Sequence, residues 1–484
     1  MINNDQLTTA SAVAQERSQK RQTRRSPAPI GSHTPFDFKD QNLTPYGGLL
    51  PVATMLEKLG LEELVACYVK TKRIPRALSI YQFVLATVLC MYVGFTRFAQ
   101  FRFAAMDPML TGVLKLPRLP PQCTFWRLLA SLHSSIGGRL VQLQSELRRR
   151  VWRTAKVTLR QLTLDTDTTV HTVFGRQMGG RVSYNPKKKQ ARSYQPILTF
   201  AAETREYIAG QLRNGDRPSA AQIRRHLNQV FANLPASVRK LRARADSGFY
   251  CWETVNAYES HHCGFIVVAR KTSRLLGVLR DARWRPSRHP DADAECDFLY
   301  QPEGWPRPCR FIALRFVPSA QPDARQPEQY ELFATADYQY RVFVTNLEGR
   351  VNQLVKFYNG RCAAENLIKE ANNDAGIAAH PFHRFDMNDN HFQFVMLAYN
   401  LNCWLTLLQR PKQVPLKTLR HTTLATARLR FLFVAARLWR HAGRVGVSYS
   451  NQYPERKAFA DLMARLRRIP AAIAAPSRLA AGVS

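Results

Sequence analysis

The stretch from Thr158 to Ala269 alternates in period, and this alternation constrains the fold more than any other feature of the chain. Thr158–Asp167 reads as a strand, and Ser193–Ala202, which carries Ile197-Leu198-Thr199-Phe200, reads as another. Ser219–Leu234 places Ala220, Ile223, Leu227, Val230 and Phe231 at helical spacing, which predicts an amphipathic helix. Lys240–Ala245 predicts a strand, Trp252–Ser260 a helix, and the apolar run Gly264–Ala269 a buried strand. Strands alternating with helices put the region in the α/β class.

Two of these strands end on a carboxylate. Leu162-Thr163-Leu164-Asp165-Thr166-Asp167 ends on Asp167, and Leu241-Arg242-Ala243-Arg244-Ala245-Asp246 ends on Asp246. A third acid, Glu365, lies in a helical segment predicted over Asn352–Asn372. Acids are scarce, 35 Asp+Glu against 70 Lys+Arg, so acids set among apolar residues need a reason. Buried charge is costly unless it is paired or bound to metal. Converging carboxylates suit hard cations, and magnesium is typically held by one or two carboxylates plus substrate phosphates. Asp165 competes with Asp167, because residues two apart on a strand share a face. Taken singly, Asp167 and Asp246 also fit turn and cap chemistry, since each precedes Thr or Ser. Tyr358, Arg361, Glu365 and Lys369 are spaced to share one helical face, so Arg361 and Lys369 flank the third acid. An ordinary surface ladder, at ~0.3–0.5 kcal/mol per pair, would leave the tyrosine unexplained.

Together these segments resemble the DDE transposases of bacterial insertion sequences, in the group with a tyrosine–arginine–glutamate–lysine signature. Tyr358, Arg361 and Glu365 have the group's spacing. Asp167-Thr168-Thr169 and Arg244-Ala245-Asp246-Ser247-Gly248-Phe249 are most similar to the insertion-sequence family numbered thirteen-eighty. The resemblance runs from about Pro45 into the C-terminal region. It implies an RNase H-like catalytic core interrupted by a β-rich insertion. It implies Asp167, Asp246 and Glu365 as catalytic and metal-binding residues, holding two Mg2+ ions that Mn2+ can replace. It selects Asp167 over Asp165 because the family's first acid precedes a threonine in this type of segment. It assigns Tyr358, Arg361 and Lys369 to DNA phosphates. The activity implied is binding of terminal inverted repeats, strand cleavage and joining to target DNA, by a homodimer in the synaptic complex. A metal-dependent nuclease without strand transfer and a non-catalytic DNA-binding derivative are the alternatives; the intact acids argue against the latter. The signature lysine belongs seven residues after the glutamate, where this chain has Asn372. Lys369, one turn after Glu365, is the candidate to replace it.

The rest of the chain is organised around this core. Residues 1–44 read as a disordered basic arm, with Arg17, Lys20, Arg21, Arg24 and Arg25 clustered before Ser26-Pro27-Ala28-Pro29. Residues 45–152 read as a helical DNA-binding domain: Leu50–Leu59, Leu61–Val69, Leu78–Gly94, Thr124–Leu132 with Thr124 as N-cap, and Arg139–Val151. The last of these ends in Arg148-Arg149-Arg150, and short helices with basic ends suit DNA docking. Residues 153–272 form the first part of the core and 273–335 the β-rich insertion, with Phe311–Phe316 among its strands. Strands are expected again at Tyr330–Thr335 and Arg341–Thr345. Residues 336–410 complete the core, with Asn390–Leu408 as an apolar helix beneath the site. Residues 411–484 read as a helical basic C-terminal region whose Phe431, Leu432, Val434 and Leu438 face inward.

A formal charge of +35 implies a polyanionic partner, here double-stranded DNA of the element ends and target. Nine cysteines without a Cys-x-x-Cys pair read as reduced thiols in a cytoplasm, with the protein associated with the bacterial nucleoid. The polar N-terminus has no signal-peptide pattern. The run Leu78–Phe95 raises the question of a membrane span, but Ser79, Gln82 and Thr87 interrupt it and a buried helix is expected. His380, His383 and His391 have no cysteine at zinc-site spacing, and His261-His262-Cys263 reads as a helix end. Trp284 and Trp305 either wedge between bases or pack within the insertion, packing being the expectation.

Overall fold

The computed structural model describes residues 30–317 and 338–470, apart from residues 72, 75, 134–135, 187, 412 and 417–418. The basic cluster of the expected arm, the expected strand Tyr330–Thr335 and the terminal tail lie outside the described residues. Residues up to 41 form a unit of their own, in which Phe36 and Phe38 meet edge to face. Residues from 42 onward form the second.

Nine strands make the central sheet of the second unit. They are β1 (Gln161–Thr168), β2 (Ile197–Ala201), β3 (Tyr207–Gln211), β4 (Lys240–Ala245), β5 (Cys263–Val268), β6 (Arg285–Pro286), β7 (Ala294–Tyr300), β8 (Cys309–Phe316) and β9 (Gln339–Thr345). Their order is β6-β7-β8-β9-β5-β4-β1-β2-β3. β4 lies parallel to both β1 and β5, and the remaining pairings are antiparallel. Parallel neighbours need a crossover.

The helices that matter to the site are α1 (Ile80–Val93), α2 (Ile136–Thr154), α3 (Ala220–Ala232), α4 (Trp252–Ser260), α5 (Val351–Asn359), α6 (Cys362–Glu370) and α7 (Phe385–Gln409). α3 leads into β4 and α4 joins β4 to β5. α3 starts where Ser219 and Gln222 cap each other, and it buries Ile223, Leu227 and Val230. Six of the eight residues of β8 are apolar, with Phe311 and Ala313 in the main core and Ile312 and Leu314 in a second core against α5. A strand covered on both faces belongs inside a sheet. The expected insertion is therefore a helix, Ser273–Asp281, followed by strands that extend the central sheet beyond β9.

The N-terminal helices agree with expectation, although Thr124 lies inside helix Gln122–Ala130 rather than at its cap. α1 is buried on nearly every side. Among the described residues no single helix is long and apolar enough to cross a membrane; α1 and the short helix Phe98–Ala104 pass that test only together, bent by 82°. Of Arg148-Arg149-Arg150, only Arg149 is exposed. Arg148 is fully buried, paired with Glu206 at 3.2 Å and donating to the carbonyls of Tyr207 and Asn233. Arg150 donates to Glu146 and to the Leu59 carbonyl, and Arg149 pairs with Glu146. Glu206, buried at the start of β3, would otherwise be an unpaired interior charge, which is strongly destabilising. The indoles of Trp152 (2.8 Å) and Trp404 (2.7 Å) also donate to it.

α7 lies along β3, the last strand of the sheet. Asn400 exchanges two 2.9 Å hydrogen bonds with the backbone of Tyr207, Gln393 donates to the Gly210 carbonyl, and Asp389 accepts from the Leu212 amide. Its buried polar residues thus satisfy an edge that would otherwise invite pairing with another chain. The C-terminal region departs from the helical expectation. Ala436–His441 and Arg444–Tyr449 form a β-hairpin, joined by Leu43–Thr44 as a third strand, and only then does helix Arg456–Arg467 follow. The turn residues Ala442 and Gly443 have φ of 46° and 73°, the left-handed pair a tight hairpin needs.

Candidate active site

Parallel pairing of β1 with β4 places two acids side by side. The last register pair is Thr166 with Ala245, and the next residue on each strand is an acid, Asp167 on β1 and Asp246 after β4. Asp246 caps the short turn Ser247–Phe249 by accepting from the Gly248 amide at 3.0 Å. Glu365 comes from the first turn of α6.

Arg361 joins two of the three. Its Nη2 lies 2.7 Å from Asp167 Oδ2, and its Nη1 lies 3.4 Å from Glu365 Oε1. Asp167 also accepts from the Thr168 amide at 2.8 Å. Burial pushes the Asp167 carboxyl up to about 7; the charges of Asp246 and Glu365 add to the rise, while Arg361 and the Thr168 amide oppose it. Burial works against the Arg361 cation, but Asp167, Tyr358, Asp246 and Glu365 around it raise its pKa. Two carboxylates thus share one guanidinium and a third, Asp246, acts on both through space, and this surplus of negative charge is the main electrostatic feature of the site.

Tyr358 is buried, its ring 4.8 Å from that of Phe343 with the Arg341 guanidinium 5.2 Å from its face. Burial raises its pKa. The helix expected over Asn352–Asn372 is two helices, α5 and α6, with Gly360 and Arg361 between them. The break follows from close packing. A Cβ on Gly360 would stand 2.3 Å from Arg244 Nη1, which donates to the Phe357 carbonyl at 2.9 Å. The division separates the signature residues: Tyr358 and Arg361 are buried, whereas Glu365 and Lys369 are exposed. Asp165, the competitor of Asp167, has its own fork from Arg244, at 2.6 and 2.7 Å, and is almost wholly buried.

Asn372 stands in a hydrogen-bonded chain beside the first acid. Its Nδ2 donates to Thr169 Oγ1 at 3.3 Å, and its Oδ1 lies 2.7 Å from His171 Nε2. His171 Nδ1 lies 2.9 Å from His380 Nε2. One direction of donation fits throughout: His171 Nε2–H donates to Asn372, and His380 Nε2–H donates to His171. Asn372 therefore links the turn after α6 to the end of β1. Arg244, His171 and His380 were not singled out in the sequence as site residues; Arg244 was visible only as part of the Asp246 motif.

Among the described residues, no three His, Cys, Asp or Glu side chains stand close enough to hold one metal ion. The histidines noted in the sequence are dispersed: His380 meets His171, and His391 bonds the Thr96 carbonyl. His261 stacks on Phe231 at 4.1 Å. Trp284 packs on Tyr340 and Trp305 against Tyr250, Trp252 and Phe311, which is the packing role expected of them.

The family described as transposase DDE domain group 1 matches residues 31–471 of the chain. No curated protein matches. Among solved structures, the chain is similar to the piggyBac transposase synaptic complex with hairpin DNA, at 10% identity over 89% of this chain and 86% of that one, with a TM-score of 0.39. It is also similar to the Mos1 transposase paired-end complex with left transposon end, at 10% identity over 40% of this chain and 60% of that one, with a TM-score of 0.16. At these scores neither likeness adds to the family match.

Proposed function

Because the chain belongs to the transposases of DDE domain group 1, we propose that it cleaves DNA at the ends of a bacterial insertion sequence and joins those ends to target DNA. The observation that carries this reading is the placement of Asp167 and Asp246 at the adjacent ends of two parallel strands, with Arg361 linking Asp167 to Glu365 on the neighbouring helix. The order β3-β2-β1-β4-β5, antiparallel among its first three strands and parallel thereafter, supports an RNase H-like core. The Asp167-Thr168-Thr169 and Arg244–Phe249 segments support the insertion-sequence family numbered thirteen-eighty.

The residues fit divalent metal. The donors are hard oxygens, and with all three acids ionised Arg361 leaves two negative charges uncompensated. Asp167 and Asp246 would hold Mg2+ or Mn2+, with exposed Glu365 closing the set by turning from Arg361. When bound, two such ions polarise the attacking oxygen and stabilise the leaving oxygen. The protein's own part is placement. Adjacent strand ends fix the two aspartates, and Arg361 holds Asp167 oriented against the repulsion of its neighbours. Once freed, Arg361 has its guanidinium available to a DNA phosphate, with exposed Lys369 one turn beyond Glu365 and Tyr358 beneath. The net charge of +35 suits double-stranded DNA of both kinds, element ends and target. A homodimer pairing two ends, in a cytoplasmic setting without membrane, completes the reading.

The test uses isosteric changes. Asp167→Asn, Asp246→Asn and Glu365→Gln should each lower Mg2+-dependent cleavage of DNA carrying the element ends by at least about a hundredfold, the loss expected even from a ~1 Å misplacement of such groups. Binding of the same DNA should be retained. Cleavage at the wild-type rate by any of the three would remove that residue from the site, and cleavage without joined product would reduce the activity to that of a nuclease.

A further inference from the structure

After Thr168, the residue that follows Asp167, the chain leaves the central sheet and makes a small flap. Its three short strands, His171–Thr172, Arg181–Val182 and Arg192–Tyr194, form a separate sheet. The inner side packs Val173 and Tyr194 with Leu212 and Phe385. The root is fixed to the turn after α6 through His171, Asn372 and His380. The outer side is unusual: Phe174 is 74% exposed and Tyr184 51%. Lys188 lies 5.7 Å from the Phe174 ring and Arg217 5.1 Å from that of Tyr184. Arg176 and Lys189 are exposed on the same flap, Arg181 is paired with Asp216 at 2.7 Å, and residues 170–194 themselves include no acid.

We propose that this flap is a nucleic-acid surface that takes an unpaired DNA strand leading from the catalytic acids, with Phe174 and Tyr184 as stacking platforms and Lys188 and Arg217 on the flanking phosphates. The proposal rests on the transposase reading and names the part of the substrate this surface holds. An exposed ring alone needs no explanation; here each of the two rings has a cation beside it, which is the pairing a stacked base and its phosphate require. Every base offers a π-face, so stacking on such rings is tolerant of sequence, and adjacent cations supply the backbone contact. A duplex, whose bases are already stacked, gains nothing from the rings and meets only the charges. The position favours a strand over a protein partner: Lys188, Lys189, Arg176 and Arg217 leave the surface positive beyond the one pair of Arg181 with Asp216, and the flap begins three residues after Thr168, the end of the strand that carries Asp167.

The test separates stacking from charge. Phe174→Ala with Tyr184→Ala changes no charge and removes two exposed rings, so thermal unfolding should be unaltered. Full-length protein is titrated into a labelled single strand of about 15 nucleotides, of the length such sites accept, and into the same strand as a duplex. Single-strand affinity should fall about tenfold or more, the equivalent of losing ~1–3 kcal/mol of stacking per base. Duplex affinity should change less than about twofold. Equal losses for both probes, or none for either, would overturn the proposal. Asp167→Asn is measured alongside. If it retains cleavage, the catalytic reading fails whatever the flap does; if it is inactive while the ring variant binds single strands normally, the flap alone fails.

Discussion

A side chain's hydrogen-bonding capacity decides what Asn372 does. The signature of the group this chain resembles carries lysine at this position, and Lys369 is the nearest cation along the same helix that could replace it. An amide both donates and accepts, and Asn372 does both, to Thr169 and from His171. An ammonium has three donors and no acceptor. Restoring the signature with Asn372→Lys would oppose a donor to His171 Nε2–H and force the imidazole chain to reverse or break. We expect that variant to cleave more slowly than wild type by about tenfold or more, a loss of at least ~1.4 kcal/mol of transition-state stabilisation. Lys369→Ala, on an exposed position, should be the milder change unless Lys369 grips phosphate. A kinetic comparison of both variants under saturating DNA decides it, and faster cleavage by Asn372→Lys would show that the lysine had merely been lost. Asp165 and Asp167 teach the same lesson. They share a strand face, yet the first is held by Arg244 and the second by Arg361. Nothing in the local text distributes the arginines, because each comes from a different element.

At the level of elements, short strand-like runs made β1, β4 and β5 readable, the first two closing on a carboxylate, and apolar residues at helical spacing made α3 readable. What misled was charge. Phe431, Leu432, Val434 and Leu438 fit the buried face of a basic helix, although Ala436, Leu438, Val445 and Val447 alternate with period two around Ala442-Gly443. Arg148 looked like a basic helix end because sequence does not show that Glu206, 58 residues later, lies buried against it. β3 escaped notice because it is short and its edge is satisfied by α7, not by another strand. The contact of β2 with α3 gives a pH test. His226 is fully buried, its Nε2 2.8 Å from Thr199 Oγ1, and burial lowers its pKa to about 3. The folded state therefore binds fewer protons there than the unfolded chain, whose histidine titrates near ~6.5, so this site weakens the fold as pH falls below that value. Between pH 7.5 and 5.0 the linkage amounts to about 2 kcal/mol. His226→Gln keeps a polar group near Thr199 without the titration. Its unfolding free energy should fall about 2 kcal/mol less than that of wild type over the same interval. Parallel pH curves for the two proteins would contradict the assignment.

Across the whole molecule the excess of 70 basic over 35 acidic residues sets how DNA is met before any site is engaged. Binding of random duplex should weaken steeply with salt. A slope of about −4 or steeper in log affinity against log salt corresponds to four or five phosphates neutralised, at about −0.9 each. A slope near zero in a salt titration would mean that the arginines are mostly committed to internal partners, as Arg148, Arg244 and Arg361 are. The burial of Glu206 has a separate, optical consequence. Two of the chain's seven tryptophans, buried Trp152 on α2 and buried Trp404 on α7, donate to that one carboxylate, one to each oxygen. They form a built-in pair of fluorophores at the seam between the N-terminal helices and the sheet. Their emission should shift to the red when that seam admits water, so intrinsic fluorescence can follow the parting of the two halves without any label.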